Sequence, residues 1–169
     1  MSYFKGKYIN QNIKVTFDTG EAAAALTIQE KQAHGIPVLE ADWDALFTTK
    51  GYLLLKQRED SIGKPFEDGE FRAFLQSKQF NSMREDLSAT LDAWTKVDVV
   101  GAAESALVYL PPDTPIRATI FPAIKPKTNS FVFAIENDPA IFLYLDPQVH
   151  PKQLENTLIH ELHHIGLGA

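Results

Sequence analysis

Apolar positions in the first hundred residues recur at three- and four-residue spacing. After residue 105 they condense into short runs broken by proline and asparagine. Ile13 to Phe17 alternates apolar with polar residues, which predicts a short strand. Asp18 and Thr19 then offer an N-cap, with Glu21 in the first turn, for a helix through Ala22–Ala25 to about Ala33. Gly35 and Pro37 stop it. Trp43, Leu46 and Phe47, followed by Tyr52 to Leu55, predict two short helical pieces broken near Gly51. The stretch from Asp60 to Gly69, rich in Gly, Pro and acidic residues, is expected to be a loop. Phe71, Phe74 and Leu75 resume helical spacing, and Ser82 with Glu85 forms a capping-box pattern ahead of Leu87, Leu91 and Trp94.

The pattern changes at Ala106. Ala106–Leu110, Ile116–Ile124, Phe131–Ile135 and Ile141–Leu145 are short apolar runs rich in β-branched and aromatic residues, separated by turn formers. That punctuation predicts an antiparallel meander. The last segment, Pro151 to Gly166, is expected to be a helix with Pro151 in its first turn and Leu154, Leu158, Ile159, Leu162 and Ile165 on its apolar face. The expected fold class is α+β, in a single domain over 1–169. Residues 1–105 form a mainly helical part, 106–148 a small antiparallel or mixed sheet, and 149–166 the closing helix.

Composition narrows the function classes. A length of 169 residues suits one core, and 44% apolar with 22% charged residues is ordinary for a globular protein. The formal net charge of -6 and the scattered Lys and Arg exclude a nucleic-acid binder, which needs clustered cations. With no cysteine, disulfides, thiolate metal sites and cysteine nucleophiles are excluded, so any metal site must use His, Asp and Glu. The first ten residues lack the apolar run of a secretory signal, and no segment is apolar enough to span a bilayer; a cytoplasmic location without membrane partners is expected.

The chemistry sits on the last helix, where His160-Glu161-Leu162-His163-His164 matches H-E-x-x-H. Residues four apart project from one helix face, so His160 and His164 are placed to aim imidazole nitrogens at one zinc ion. Glu161 beside them is placed to accept a proton from zinc-bound water, whose pKa the metal lowers. His163 makes an i, i+3 pair with His160, a second way to chelate; the expected ligands are His160 and His164, with His163 packing behind them. The plain alternative is a surface helix end whose histidines are favoured by the helix dipole.

A catalytic zinc takes three protein ligands and a water. The five residues after His164 offer no ligating side chain. Leu167 stands where the extended H-E-x-x-H-x-x-G-x-x-H motif needs glycine, which disfavours that subclass. Asp146, His150 and the more distant Glu136 are the remaining candidates; Asp146-Pro147 reads as a turn and His150 as a helix-start residue.

At these residues the sequence resembles the gluzincin class of zinc peptidases, and its wider pattern is similar to an uncharacterised bacterial family of zinc-dependent peptidases. The resembling segments are Ala41-Asp42-Trp43-Asp44, Gly51-Tyr52, Ala106 to Pro111, Asn129 to Phe133 and Ile159 to Gly166; only the last carries a mechanism. The resemblance implies zinc on His160 and His164, Glu161 as general base, and a third ligand that is a glutamate on a later helix. It implies a peptide or protein substrate and a zincin-like fold that is incomplete here, so a truncated product or the N-terminal portion of a longer peptidase is expected. It also implies an edge strand beside the active helix that pairs with extended substrate, for which Phe131–Ile135 and Ile141–Leu145 are candidates. In a truncated chain Leu158, Leu162 and Ile165 are expected to be partly exposed.

Two other readings compete: a non-catalytic interaction module that binds metal opportunistically, and a site completed by a second chain. Other chemistries are poorly served. Gly20, Gly101 and Gly166 make no phosphate-cradling loop, Ser105 and Ser130 lack the flanking glycines of a nucleophile elbow, and Glu67, Asp68 and Glu70 read as a solvated charge run.

Overall fold

Ile13 and Val15 turn inward and Lys14 and Thr16 outward along β1 (Ile13–Phe17), as their alternation predicts. The computed structural model describes residues 12–135 and 138–168. After β1 the chain runs through α1 (Gly20–Ala33), α2 (Glu40–Phe47), α3 (Lys50–Ser61), α4 (Asp68–Leu75), α5 (Lys78–Asn81), α6 (Arg84–Trp94) and α7 (Val99–Leu107). It then forms β2 (Ile116–Ala123), β3 (Phe131–Ile135), β4 (Asp138–Tyr144) and α8 (Pro151–Gly166). The fold class is α+β: eight helices and one four-stranded sheet among the described residues.

The sheet is mixed, not an antiparallel meander. Its order is β1-β2-β4-β3, with β1 and β4 both parallel to β2 and only β3 antiparallel, to β4. The seven helices between β1 and β2 act as one long crossover, the connection that parallel neighbours require. The sheet therefore is not confined to 106–148, because the N-terminal strand supplies its far edge. Apolar residues at consecutive positions in β4, Ala140 to Leu143, are all buried, as expected for a strand covered on both faces. Phe121, Phe142 and Phe131 stack across β2, β4 and β3 with centroids 4.9 and 5.1 Å apart. Pro122 is tolerated in a central strand because β1 pairs only as far as Ile120. Its missing N–H faces the side where no neighbour remains.

Three local expectations change. Ala106–Leu110 is not a strand: Asp98 caps α7 by accepting from the Gly101 N–H at 2.9 Å, and Ala102, Ala103 and Ala106 continue its buried stripe, so the run finishes the helix and turns out of it. The break assigned to Gly51 falls at Thr48-Thr49, where Thr49 Oγ1 accepts from the Tyr52 N–H and starts α3. Gly51 lies inside α3, where a Cβ would stand 3.1 Å from the Phe121 ring and 3.2 Å from Glu21 Cβ, so its smallness serves packing. The Ser82–Glu85 capping box is not formed, since the Ser82 hydroxyl donates to the Gln79 carbonyl and the helix begins only after Met83. The loop expected over 60–69 is narrower, because Ser61 still belongs to α3 and Asp68 already to α4.

A chain of aromatic contacts links α2, α3, α4 and α5. Trp43, Phe47, Tyr52, Phe71, Phe74 and Phe80 follow one another with ring centroids 4.9 to 6.3 Å apart. No helix among the described residues is long and apolar enough to cross a membrane.

Candidate metal centre

The predicted last helix forms as α8. Pro151 occupies its first turn, the His150 N–H donates to Gln153 Oε1 at 2.9 Å, and Gly168 closes the far end at φ 78°, a conformation that only glycine adopts without strain. Leu154, Leu158 and Leu162 recur every four residues on one buried stripe, seated on α7 and β2. The Trp94 indole N–H bonds the Val149 carbonyl at 3.2 Å and ties the start of the helix to α6. At the other end any side chain on Gly166 would collide with Leu110, so the absence of one lets α8 close down on the turn after α7. The expectation that Leu158 and Leu162 are partly exposed is overturned by this seat; both are fully buried, and Ile165 is half-buried.

With the leucine stripe inward, His160 and His164 come out on the opposite face and are exposed, while Glu161 and His163 lie on the flanks, half-buried. The rings of His160 and His164 meet edge to face at 78°, centroids 4.5 Å apart, and their Nε2 atoms approach to 3.1 Å. At that spacing the two nitrogens lie within hydrogen-bond reach of one another. A tetrahedral ion holding two imidazoles at 2.0–2.1 Å would set their nitrogens about 3.3 Å apart. The pair fits two positions of such an ion within a few tenths of an ångström. His163 is turned aside, its ring centroid 6.3 Å from that of His164. Among the described residues no hydrogen bond or ion pair engages the Glu161 carboxylate, so it is free to take a proton.

The third position is not supplied nearby. Among the described residues no group of three or more His, Asp or Glu side chains could hold an ion together. His150 stands at the opposite end of α8, about 15 Å along the axis from His160 at 1.5 Å per residue. Asp146 lies beyond it, its carboxylate accepting from the Gln148 N–H at 2.9 Å. Glu136, the most distant candidate, lies outside the described residues. Of the two strands weighed for substrate pairing, β4 is interior and has no free edge, whereas β3 is the outer strand; α8 seats over β2, with β4 between it and β3.

Sequence reasoning gave no cause to single out a second constellation. A cavity of about 700 Å³ lies among α3, α4 and the β2–β3 connection, and two buried charged residues, Glu59 and Lys125, line it. Neither belongs to a motif, and only the rarity of a buried charge marks them.

No protein-family model matches this chain, and no curated protein or solved structure does either.

Proposed function

We propose that α8 is the metal-binding helix of a zinc-dependent peptidase, with His160 and His164 as ligands and Glu161 as general base. The observation that carries this reading is the 3.1 Å separation of the two exposed Nε2 atoms, a spacing that one tetrahedral ion can span without moving either helix turn. When bound, zinc supplies Lewis acidity toward a peptide carbonyl and toward water. Glu161 then takes the proton from the attacking water and returns it to the leaving amine, and its lack of a competing partner suits that shuttle. His163, half-buried on the flank, is given no part in holding the ion. The reading carries with it a peptide or protein substrate and a cytoplasmic setting. It also requires a third ligand from outside the described residues; a glutamate, as in the zinc peptidases that the motif resembles, is the proposed one.

Calorimetric titration of zinc into metal-free protein tests this reading, with wild type beside His160→Ala and His164→Ala. One ion per chain, lost in both variants, supports it, and the affinity reports whether a third ligand is present. No binding, or binding indifferent to both substitutions, overturns it.

A further inference from the structure

The cavity beside α3 and α4 combines apolar walls with a buried cation that makes no ion pair among the described residues. Its volume of about 700 Å³ falls in the range of about 300–1,000 Å³ usual for small-molecule sites. Leu55 from α3 and Phe66, Phe71 and Phe74 from the loop and helix that follow form the walls. Gly63, at φ 75°, lets the chain turn sharply out of α3. At the rim the exposed Lys64 and Glu70 offset one another.

The inner side does not balance. Glu59, only 3% exposed, is the buried anion there, and it already has two cations: Lys127 Nζ at 3.2 Å and Arg58 Nη1 at 3.5 Å. Lys125, 2% exposed, has no carboxylate within ion-pair distance among the described residues. Its ammonium donates to two neutral oxygens, the Lys127 carbonyl at 2.5 Å and Asn129 Oδ1 at 2.9 Å. An ammonium has three hydrogens; besides these two oxygens it meets the Phe131 and Tyr144 rings at 5.6 and 5.9 Å, so the remaining hydrogen has no anionic acceptor among the described residues. Burial pulls the Lys125 pKa down to about 8, and the more distant Glu59 carboxylate only partly opposes that shift.

We propose that this cleft binds a small monocarboxylate with an aromatic or aliphatic body, the body lying on Phe66, Phe71 and Phe74 and the carboxylate accepting the remaining hydrogen of the Lys125 ammonium. Both halves of the ligand follow from what surrounds them. The rings need apolar area, and a single carboxylate gives Lys125 the ion pair it lacks, in a group whose cations Arg58, Lys125 and Lys127 share only the Glu59 carboxylate. A cationic ligand would meet Lys125 at close range, and a neutral one would leave its charge unmet.

The test uses 4-phenylbutyrate as probe, with 4-phenylbutanol and 4-phenylbutylamine as its neutral and cationic matches. Binding is measured by calorimetry, and located by backbone amide shifts. The acid is expected to bind one-to-one, about tenfold tighter than the alcohol, with the amine weakest, as a charge-assisted hydrogen bond predicts. Lys125→Met is expected to reduce the acid to the affinity of the alcohol. Because removing a buried lysine can unsettle the fold, Ala73→Glu serves as the second variant. Ala73 is an exposed helical residue at the cavity lining, and a carboxylate there should weaken the acid about threefold while leaving the alcohol unchanged. Equal affinity for acid and alcohol, amide shifts confined to other parts of the chain, or indifference to Ala73→Glu would each overturn the proposal.

Discussion

The C-terminal half of α8 and the cleft beside α3 and α4 hold the chain's reactive groups in opposite ways. On α8 the histidines stand in solvent on a single helix, and their order comes from a leucine stripe on the far side. In the cleft two charged groups, Glu59 and Lys125, are buried, and the groups come from distant segments: Glu59 from α3 and Lys125 and the exposed Lys127 from beyond β2. The first arrangement costs little desolvation but leaves an ion to be held by two side chains. The second excludes water and so strengthens every charge interaction, at the expense of stability when a charge is unmatched. A motif supplies chemistry without shape on α8, and the cleft supplies shape without a motif.

The largest expected effect separates the two regions by activity. With the protein zinc-loaded, Glu161→Gln is expected to lower hydrolysis of a fluorogenic peptide by about 10²–10⁴-fold, the usual contribution of a general base, while zinc affinity stays nearly unchanged. Binding of 4-phenylbutyrate in the cleft should not respond. Unchanged turnover in this variant would show that Glu161 does not carry the proton.

The pH dependence of stability sharpens the contrast, because only the cleft side buries unmatched charge. Glu21 is 3% exposed, and its Oε1 accepts from the Ile124 N–H at 2.8 Å, next to Lys125 in sequence. Burial raises its pKa to about 8, so the folded protein keeps a proton there that the unfolded chain has already lost. The contribution of Glu21 to stability is therefore greatest below about pH 4.5, falls as pH rises to about 8, and is flat above. The full drop is on the order of 5 kcal/mol. Lys125 acts in the opposite sense: with its pKa lowered to about 8, stability recovers as pH rises from about 8 toward the ordinary lysine range. Urea denaturation across pH should show a minimum near pH 8, and Glu21→Gln should remove the acid limb alone. An acid limb that persists in that variant would assign it to other carboxyls.

How much of this was legible follows from how far apart the partners are. The i, i+4 histidines, the Pro151 start and the Leu154–Leu158–Leu162 stripe are local, and they form as the spacing predicts. So does β1. The sheet order was not legible, because parallel pairing of Ile13 with Ile116 depends on how seven helices return the chain and not on either strand. Ala106–Leu110 misled because Val108 and Tyr109 have strand-like composition. Their exposure of 75% and 78% shows that no sheet claims them; the helix capped by Asp98 runs to Leu107 and they form the turn out of it. Lys125 was invisible because it follows an apolar run and precedes a proline, as a lysine ending a strand would, and its burial is imposed by the loop that folds over it.

Removing packing beneath the histidines tests whether they depend on their seat. Leu158 is fully buried under the motif, and Leu158→Ala is expected to cost about 2–5 kcal/mol in chemical denaturation. Zinc affinity should fall with it if α8 loosens, while the cleft, on other helices, should keep its ligand. A cost below about 1 kcal/mol would mean that α8 is not seated as described.

The smallest pair of effects is the most discriminating, because the two perturbations are matched. Thr49 caps α3, a wall of the cleft, through the Tyr52 N–H at 3.3 Å, and Asp98 caps α7, the seat of α8, through the Gly101 N–H at 2.9 Å. Substituting either by Ala should cost about 1 kcal/mol by thermal or urea unfolding. If the two regions are independent, Thr49→Ala should weaken only 4-phenylbutyrate and Asp98→Ala only zinc, since each frays a helix that touches one site. Loss of both ligands in either variant would mean that the sites share one cooperative unit. The sheet would be its route, as α1 and α8 both pack on β2, the strand that leads into Lys125.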